Sequence, residues 1–329
     1  MDTSLRPMST SQVLDRTFFL YRKNFVLFAG IAAITPLLTT VDSLAQLAVF
    51  GMPVSADQAA RSAAGMQQFF GREAIGGLIT LCVYLVGYTI SSGATVHAVS
   101  MLHLGRATTI KESYQRVKPV FGRLLLLMIR IFLAAMWPII VCYVVGVVSV
   151  LVLLMVIPGV AGGNAGGAIG IGLMLLLVFV GALAGVVWAA IVYCRYALAI
   201  PACTIEGLPI KYSLIRSKFL AKGNLGRVFL VYLLTTVITV LVAGLLQAPL
   251  YMSTAFSFRT GLHLTPGWLA WTYASQFIGT MVAGPIAAIA MALVYYDQRV
   301  RKEAFDLQVM MEAMKPGEAT QTASAHAAQ

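Results

Sequence analysis

Residues 110–157 read IKESYQRVKPVFGRLLLLMIRIFLAAMWPIIVCYVVGVVSVLVLLMVI, a short basic segment followed by a long apolar run. Within the run, from about residue 124 to 157, Arg130 is the one charged residue. An α-helix needs about 20 consecutive, mostly apolar residues to cross the hydrocarbon core of a membrane. The run therefore predicts a membrane-spanning helix, and its length requires that helix to tilt or to begin among the lipid headgroups.

Comparable runs recur along the whole chain of 329 residues, of which 59% are hydrophobic and only 11% are charged. Soluble domains usually carry roughly a quarter of charged residues, so a water-soluble fold would leave much apolar surface uncovered. The predicted spans lie at about 25–48, 75–103, 124–157, 167–194, 228–252 and 268–296. The sequence thus predicts an all-α fold, a polytopic membrane helix bundle over residues 1–314, with a disordered tail at 315–329.

The Lys and Arg residues between the spans are concentrated on one side. The N-terminal segment, the connections after the second and fourth spans, and the C-terminal segment hold 19 of them, whereas the other three connections hold 3. Cytoplasmic loops of membrane proteins carry an excess of Lys and Arg. We therefore expect both ends of the chain to lie in the cytoplasm.

The basic segments resemble one another. Residues 110–118 (IKESYQRVK) and 210–218 (IKYSLIRSK) are identical at five of nine positions, and the N-terminal segment aligns with the latter at an offset of 200 residues. This pattern predicts three repeats, each an amphipathic helix in the membrane interface followed by a helical hairpin. The predicted interfacial helices lie at about 9–24, 109–121 and 209–222.

Basic side chains occupy equivalent positions in the three repeats. Arg16, Arg116 and Arg216 are equivalent, and Lys118 and Lys218 follow two of them at the same spacing. Two interpretations remain open, a ring that binds a ligand and simple anchoring to lipid headgroups. In both, the expected partner is anionic membrane lipid, because cationic side chains at a membrane surface attract it.

Polar residues inside predicted spans are candidate functional groups, since such residues are costly in a bilayer. Asp42 lies in the first span, His97 in the second and Arg130 in the third. If they converge, they predict a pathway for a small molecule or lipid, the alternative function. Asp42 and Arg130 lie near opposite ends of their spans, which also fits charged groups that reach the membrane surface.

No enzymatic motif occurs in the sequence: HExxH, GxSxG, GxxxxGK[ST] and a complete GxGxxG are all missing. For chemistry on lipid phosphodiesters, the candidate carboxylates beside basic residues are Asp297 and Asp306. The four cysteines have no metal-binding spacing. We predict no enzymatic activity, cofactor or metal site. We also predict no nucleic-acid partner, because the basic residues flank apolar runs instead of forming one face of a soluble module.

Three segments carry a resemblance to a known family: RPMSTSQVLDRTFFLYRKNFVLF (6–28), RYALAIPACTIEGLPIKYSLIRSK (195–218) and YYDQRVRKEAFDLQ (295–308). Together they resemble the bacterial six-span membrane domain of glycerophosphoryl diester phosphodiesterases, over nearly the whole chain. The resemblance implies a location in the bacterial inner membrane. The catalytic domain of those enzymes is similar to a TIM barrel that begins with a metal-binding His-Arg-Gly. This chain has neither that length nor that tripeptide, so the resemblance implies at most a protein partner with that activity.

The function expected from these observations is that of a non-enzymatic, lipid-interacting or accessory protein of the inner membrane.

The predicted topology of the chain is testable. Reporter fusions within 106–123 and within 207–227 are expected to report the same, cytoplasmic, side, because these segments carry the excess of positive charge. Green fluorescent protein should fluoresce and alkaline phosphatase should stay inactive at both sites. Fusions that report opposite sides would remove the predicted arrangement of spans.

Overall fold

A computed structural model of the chain describes residues 8–51, 62–156, 165–260 and 266–303. All regular structure in these ranges is helical, which confirms the predicted all-α class. A 3-10 turn lies at Lys118–Val120. The helices, numbered along the chain, are α1 (Thr10–Lys23), α2 (Phe25–Ala32), α3 (Ile34–Phe50), α4 (Ala63–His103), α5 (Ile110–Val117), α6 (Phe121–Val156), α7 (Ala165–Tyr196), α8 (Ala199–Ile205), α9 (Ile210–Ala221), α10 (Leu225–Thr260) and α11 (Pro266–Glu303).

Six helical stretches among the described residues are long and apolar enough to cross a membrane. The chain is therefore a multi-pass membrane protein built as a helix bundle. The stretches are Phe25–Phe50, Gln67–His103, Ile110–Gly146, Val178–Ile205, Leu225–Ala248 and Ala270–Glu303.

Two helices extend well past the spans predicted from hydropathy. Helix α4 begins at Ala63 instead of near residue 75, and α10 continues to Thr260 instead of ending near residue 252. Hydropathy marks the part of a helix suited to the hydrocarbon core, whereas helical hydrogen bonding continues into the interfacial region. The predicted end of the domain at residue 314 and the predicted tail at 315–329 lie outside the described residues.

The bundle consists of three helical hairpins arranged around α11. Helix α3 packs on α4, α6 on α7, and α10 on α11. Helix α11 also contacts α1, α2, α3, α4, α8 and α9. In its most apolar stretch 56% of the residues are buried, against 17–33% in the other five candidate spans. Helix α11 is therefore the central helix of the bundle.

The three hairpins join mainly at the end of the bundle where α1, α5 and α9 lie, which we call the basic end. Large side chains buried there include Phe28, Leu127, Leu198 and Leu293. Midway along the second hairpin α7 contacts α6 closely, since a Cβ on Gly185 would lie 2.8 Å from Ile139. The remaining faces of α7 carry exposed apolar residues, and such faces suit contact with lipid tails.

The same positions are buried in the three segments that begin the hairpins. Each set below consists of residues 100 apart in the sequence, and all of its members are buried: Val13, Ser113 and Ser213; Thr17, Val117 and Ser217; Phe28, Met128 and Val228; Ile31, Ile131 and Val231; Thr35, Ala135 and Thr235. In all three segments, equivalent faces of the helices are therefore turned toward the bundle.

Side chains cap the starts of the first two short helices. Ser9 and Gln12 form a complete capping box at the start of α1, in which each side chain bonds to the backbone N–H of the other. Thr109 accepts a bond from the backbone of Glu112 at 3.2 Å, but the Glu112 carboxylate bonds to Thr108 instead of closing the box. Both arrangements satisfy N–H groups that a helix start leaves unpaired.

Hydrogen bonds fix each short helix to a helix of a candidate span. The Tyr21 hydroxyl of α1 donates to the carbonyl of Val282 at 2.6 Å, and burial raises the pKa of Tyr21 to about 12, so this donor keeps its proton at neutral pH. The Tyr114 hydroxyl of α5 donates to the carbonyl of Ile31 at 2.7 Å. In α9, the hydroxyl of Ser217 donates to the end of α7 at 2.8 Å.

The central position of α11 is testable by truncating one side chain. Leu293→Ala is expected to destabilise the bundle by about 2–5 kcal/mol, because Leu293 is fully buried. Leu183→Ala is the matched control, since it removes the same atoms from an exposed side chain on α7. Thermal unfolding in detergent should show a lower Tm for the Leu293 variant alone. Equal losses in the two variants would contradict this packing.

Candidate functional site at the basic end

A buried carboxylate ties the start of the described chain to α10 and α11. Asp297 is 1% exposed, and its carboxylate lies 3.0 Å from the guanidinium groups of both Arg227 and Arg301. It also accepts a 2.7 Å bond from the backbone N–H of Met8, and both arginines donate to the Met8 carbonyl. A buried charge is tolerated when it is paired and hydrogen-bonded in this way.

A second cluster of charges joins α9 to α11. Arg216 forms ion pairs with Glu206, at 3.0 Å, and with Glu303. Arg299 lies 3.3 Å from Glu303 and 3.6 Å from Glu206. The hydroxyl of Tyr295 donates to Glu206 as well. This cluster is therefore an alternating network of two carboxylates and two guanidinium groups, completed by one phenol.

These contacts involve Arg216, one of the predicted headgroup ligands. Burial alone would lower its pKa, but hydrogen bonds and charge interactions with Glu303 and Glu206 raise it above its usual range. Its guanidinium is thus paired with two protein carboxylates. Glu206 and Glu303 lie outside the aligned repeat positions, so the sequence comparison does not predict these pairs. Binding of a lipid headgroup by Arg216 stays a prediction.

The other predicted headgroup ligands lie at or near the surface. Arg16 is half-buried and lies 5.8 Å from the ring centre of Phe19. Arg116 and Lys118 are exposed. Lys218 is exposed and lies 5.3 Å from the ring centre of an aromatic side chain at the end of α7. The structure thus leaves these four cationic groups accessible.

The exposed faces of α1 and α9 combine apolar side chains with cations. On α1 they carry Phe18, Phe19, Arg22 and Lys23, and on α9 they carry Lys211, Tyr212, Ile215, Lys218 and Phe219. The exposed face of α5 differs, because it carries charged and amide side chains without a large apolar one: Lys111, Glu112, Gln115, Arg116 and Lys118. The short helices therefore present two chemically different kinds of surface.

The polar residues predicted inside the spans do not come together. Asp42 is buried on α3, where its carboxylate accepts bonds from Thr80 at 2.7 Å and Gln46 at 2.9 Å, so it joins the two helices of the first hairpin. His97 is half-buried toward the basic end of α4, within electrostatic reach of residues on α5. Arg130 is exposed on α6. Asp42, His97 and Arg130 therefore have different neighbouring residues.

Several residues of the basic end were not found from the sequence, notably Glu206, Tyr295 and Glu303. The closing segment does hold a signal, because Asp297 precedes Arg301 by four residues and Arg299 precedes Glu303 by four, a spacing that brings side chains together on a helix. The partners on α9 and α10 are distant in the sequence, so the fold is needed to find them. Asp306, the other candidate carboxylate, lies outside the described residues.

Within the described ranges, no group of three or more His, Cys, Asp or Glu residues is placed to hold a metal ion. The four cysteines are free thiols.

No protein-family model, curated protein or solved structure matches this chain. The resemblance to the membrane domain of glycerophosphoryl diester phosphodiesterases stays a prediction.

The role of Arg216 is testable against its equivalent on α5. Arg216→Gln is expected to lower stability by about 1.5–3 kcal/mol, because it breaks the charge-assisted bonds to Glu206 and Glu303. Arg116→Gln is the matched control, and it should change stability by less than about 0.5 kcal/mol, since the side chain is exposed. Unfolding in detergent measures both. A stable Arg216 variant would show that the cluster does not hold α9 to α11.

Proposed function

We propose that this chain is a non-enzymatic protein of the bacterial inner membrane that gathers anionic lipid around its basic end. The observation that carries the proposal is the mixed surface of α1 and α9, where exposed Phe18, Phe19 and Phe219 lie beside lysines and arginines. A helix of this kind binds at the membrane interface, with aromatic and aliphatic groups among the acyl chains and cations at the phosphates. Each such cation contributes about 1 kcal/mol toward an anionic surface.

The placement of positive charge supports contact between the basic end and a membrane surface. The three short helices and the ends of the chain hold most of the 19 Lys and Arg residues assigned to one side. A cytoplasmic location of that side brings them to the leaflet surface whose negative potential attracts basic segments. The polar surface of α5 would then face the cytoplasm, where it suits contact with a protein partner, such as the phosphodiesterase implied by the resemblance.

We also propose that the chain consists of three copies of one unit, a short helix followed by a hairpin. Support comes from the burial of equivalent positions 100 residues apart, from Val13, Ser113 and Ser213 onward. The copies have diverged: α5 is shorter than α1 and α9 and continues into α6 through a 3-10 turn. On this proposal, the first and third copies bind the membrane interface, and the middle copy contacts another partner through α5.

The alternative function, a transport pathway, has less support. It requires that Asp42, His97 and Arg130 face a common cavity. Asp42 instead bonds within the first hairpin, and Arg130 lies on the exposed surface of α6. We therefore favour the lipid-gathering function.

The proposal predicts a preference for anionic lipid that depends on the exposed cations. The full chain, reconstituted in phosphatidylcholine vesicles, is expected to bind spin-labelled phosphatidylglycerol several-fold more strongly than spin-labelled phosphatidylcholine. Replacing Arg22, Lys23, Lys211 and Lys218 together by Gln should bring that ratio close to one, because four interfacial charges are removed. Electron spin resonance of the motionally restricted lipid fraction measures the ratio, and added salt should reduce it in the native chain.

A suitable control is Arg72→Gln, since Arg72 bonds to the carbonyls of Phe50 and Gly51 away from the basic end. This variant should keep the native preference. If the fourfold variant keeps it too, the basic faces of α1 and α9 do not select the lipid and the proposal is wrong.

A further inference from the structure

Two adjoining cavities lie between the hairpins, at the level of the hydrocarbon core. Their volumes are about 60 Å³ and about 20 Å³, and both are lined by Tyr88, Ser92 and Ala288. Thr35, which lines the larger cavity, is ten residues into the first span, which begins at Phe25. At 1.5 Å per residue the cavity lies about 15 Å from the start of that span, well inside a core about 30 Å thick.

The lining of the larger cavity is rich in hydroxyl groups and contains no charged side chain. Hydroxyl-bearing side chains of α3, α4 and α11 line it: Thr35, Tyr84, Tyr88, Ser91, Ser92, Thr95 and Thr280. The smaller cavity continues toward Tyr193 and Tyr232, whose ring centres lie 4.5 Å apart. Uncharged hydroxyls at this depth suit a ligand that is neutral and forms hydrogen bonds.

Three of the hydroxyl-bearing side chains that line the larger cavity are buried: Thr35, Ser92 and Thr95. The Ser92 hydroxyl donates to the carbonyl of Thr89 on its own helix, whereas the hydroxyls of Thr35 and Thr95 have no partner among the described residues. Thr35 is 3% exposed and Thr95 is 1% exposed.

Threonines in helices usually bond to the carbonyl four residues earlier, as Thr235 does. For Thr35 that carbonyl belongs to Ile31, which already accepts the bond from Tyr114 at 2.7 Å. Two buried donors therefore face a cavity without a protein acceptor.

The larger cavity reaches the surface that faces the lipid. Tyr84 contributes to its lining and is nevertheless 43% exposed. The ring of Tyr84 stacks on that of Tyr88, with 5.8 Å between the ring centres. A molecule dissolved in the bilayer could thus reach the hydroxyls from the side, past Tyr84, without crossing the charged clusters of the basic end.

We infer that this cavity binds the uncharged polar end of a neutral membrane lipid, a hydroxyl or an ester carbonyl whose apolar tail stays in the bilayer. An oxygen of such a group accepts bonds from Thr35 and Thr95, which have no other acceptor. A volume of about 60 Å³ has room for a hydroxymethyl or ester group. A phosphate would be buried there without a cation, which is strongly unfavourable. This site is separate from the interfacial binding of anionic lipid proposed above.

The inference is testable by photo-crosslinking of the full chain in phosphatidylcholine nanodiscs. Three probes share one diazirine-bearing tail: a diacylglycerol, a long-chain alcohol and a phosphatidic acid. We expect saturable labelling of α3 and α4 near the cavity by one or both neutral probes, which also identifies the ester or the hydroxyl as the bound group. Labelling there by phosphatidic acid should be at least fivefold weaker. Peptide mass spectrometry locates and quantifies the crosslinks.

The double variant Thr35→Val and Thr95→Val should reduce labelling by the neutral probes at least fivefold, because it removes both donors while nearly keeping the side-chain shape. Thr235→Val is the matched control, since Thr235 is the buried equivalent of Thr35 in the third hairpin but bonds to its own helix. It should label like the native chain. Labelling that is unchanged in the double variant, or that is absent or unsaturable in the native chain, overturns the inference.

A competition measurement on the native chain gives a test that does not depend on folding of the variants. Excess unlabelled diacylglycerol or long-chain alcohol should suppress the crosslinks near the cavity, whereas excess phosphatidic acid should not. Equal suppression by phosphatidic acid would mean that the probes report general contact with lipid, and the cavity would then have no ligand of the proposed kind.

Discussion

The structure depends on a constraint that water-soluble proteins do not share. Lipid tails are as apolar as leucine side chains, so helices in a bilayer gain little from the hydrophobic effect when they pack on one another. Close packing and polar contacts must hold them together instead. In this chain both are concentrated at the basic end, where α11 lies among the other helices and the buried carboxylate of Asp297 joins α10, α11 and the backbone of Met8.

Charged groups at the basic end therefore fall into two classes, those that face the interior and those that face outward, and the two classes have different roles. Charges that face the interior, such as Arg216 and Glu206, are paired with one another and fix α9 to α11. Charges that face outward, such as Lys23 and Lys218, are accessible beside exposed aromatic rings. The proposed binding of anionic lipid uses the outward group alone, so the lipid contacts and the stability of the bundle depend on separate residues.

Local patterns in the sequence predicted much of the fold, and long-range contacts were the part that they could not supply. The six apolar stretches and their order follow from composition, although some bounds differ: the third stretch begins at Ile110 instead of near residue 124. The pairing of Arg216 does not follow from composition, because its partners lie in other segments. The cavity was missed for a related reason: Thr35 and Thr95 look ordinary in the sequence, and the Tyr114 contact that occupies the carbonyl of Ile31 needs the fold.

The attachment of Met8 also has a consequence for the order in which the protein is made. Met8 is synthesised well before Asp297 and Arg301, which hold its backbone and lie 289 and 293 residues later in the chain. Until α11 has been made, α1 therefore lacks its contacts with that helix. Insertion of α11 then places the central helix and brings Asp297 and Arg301 to the backbone of Met8, so the basic end is assembled only after the preceding spans have been made.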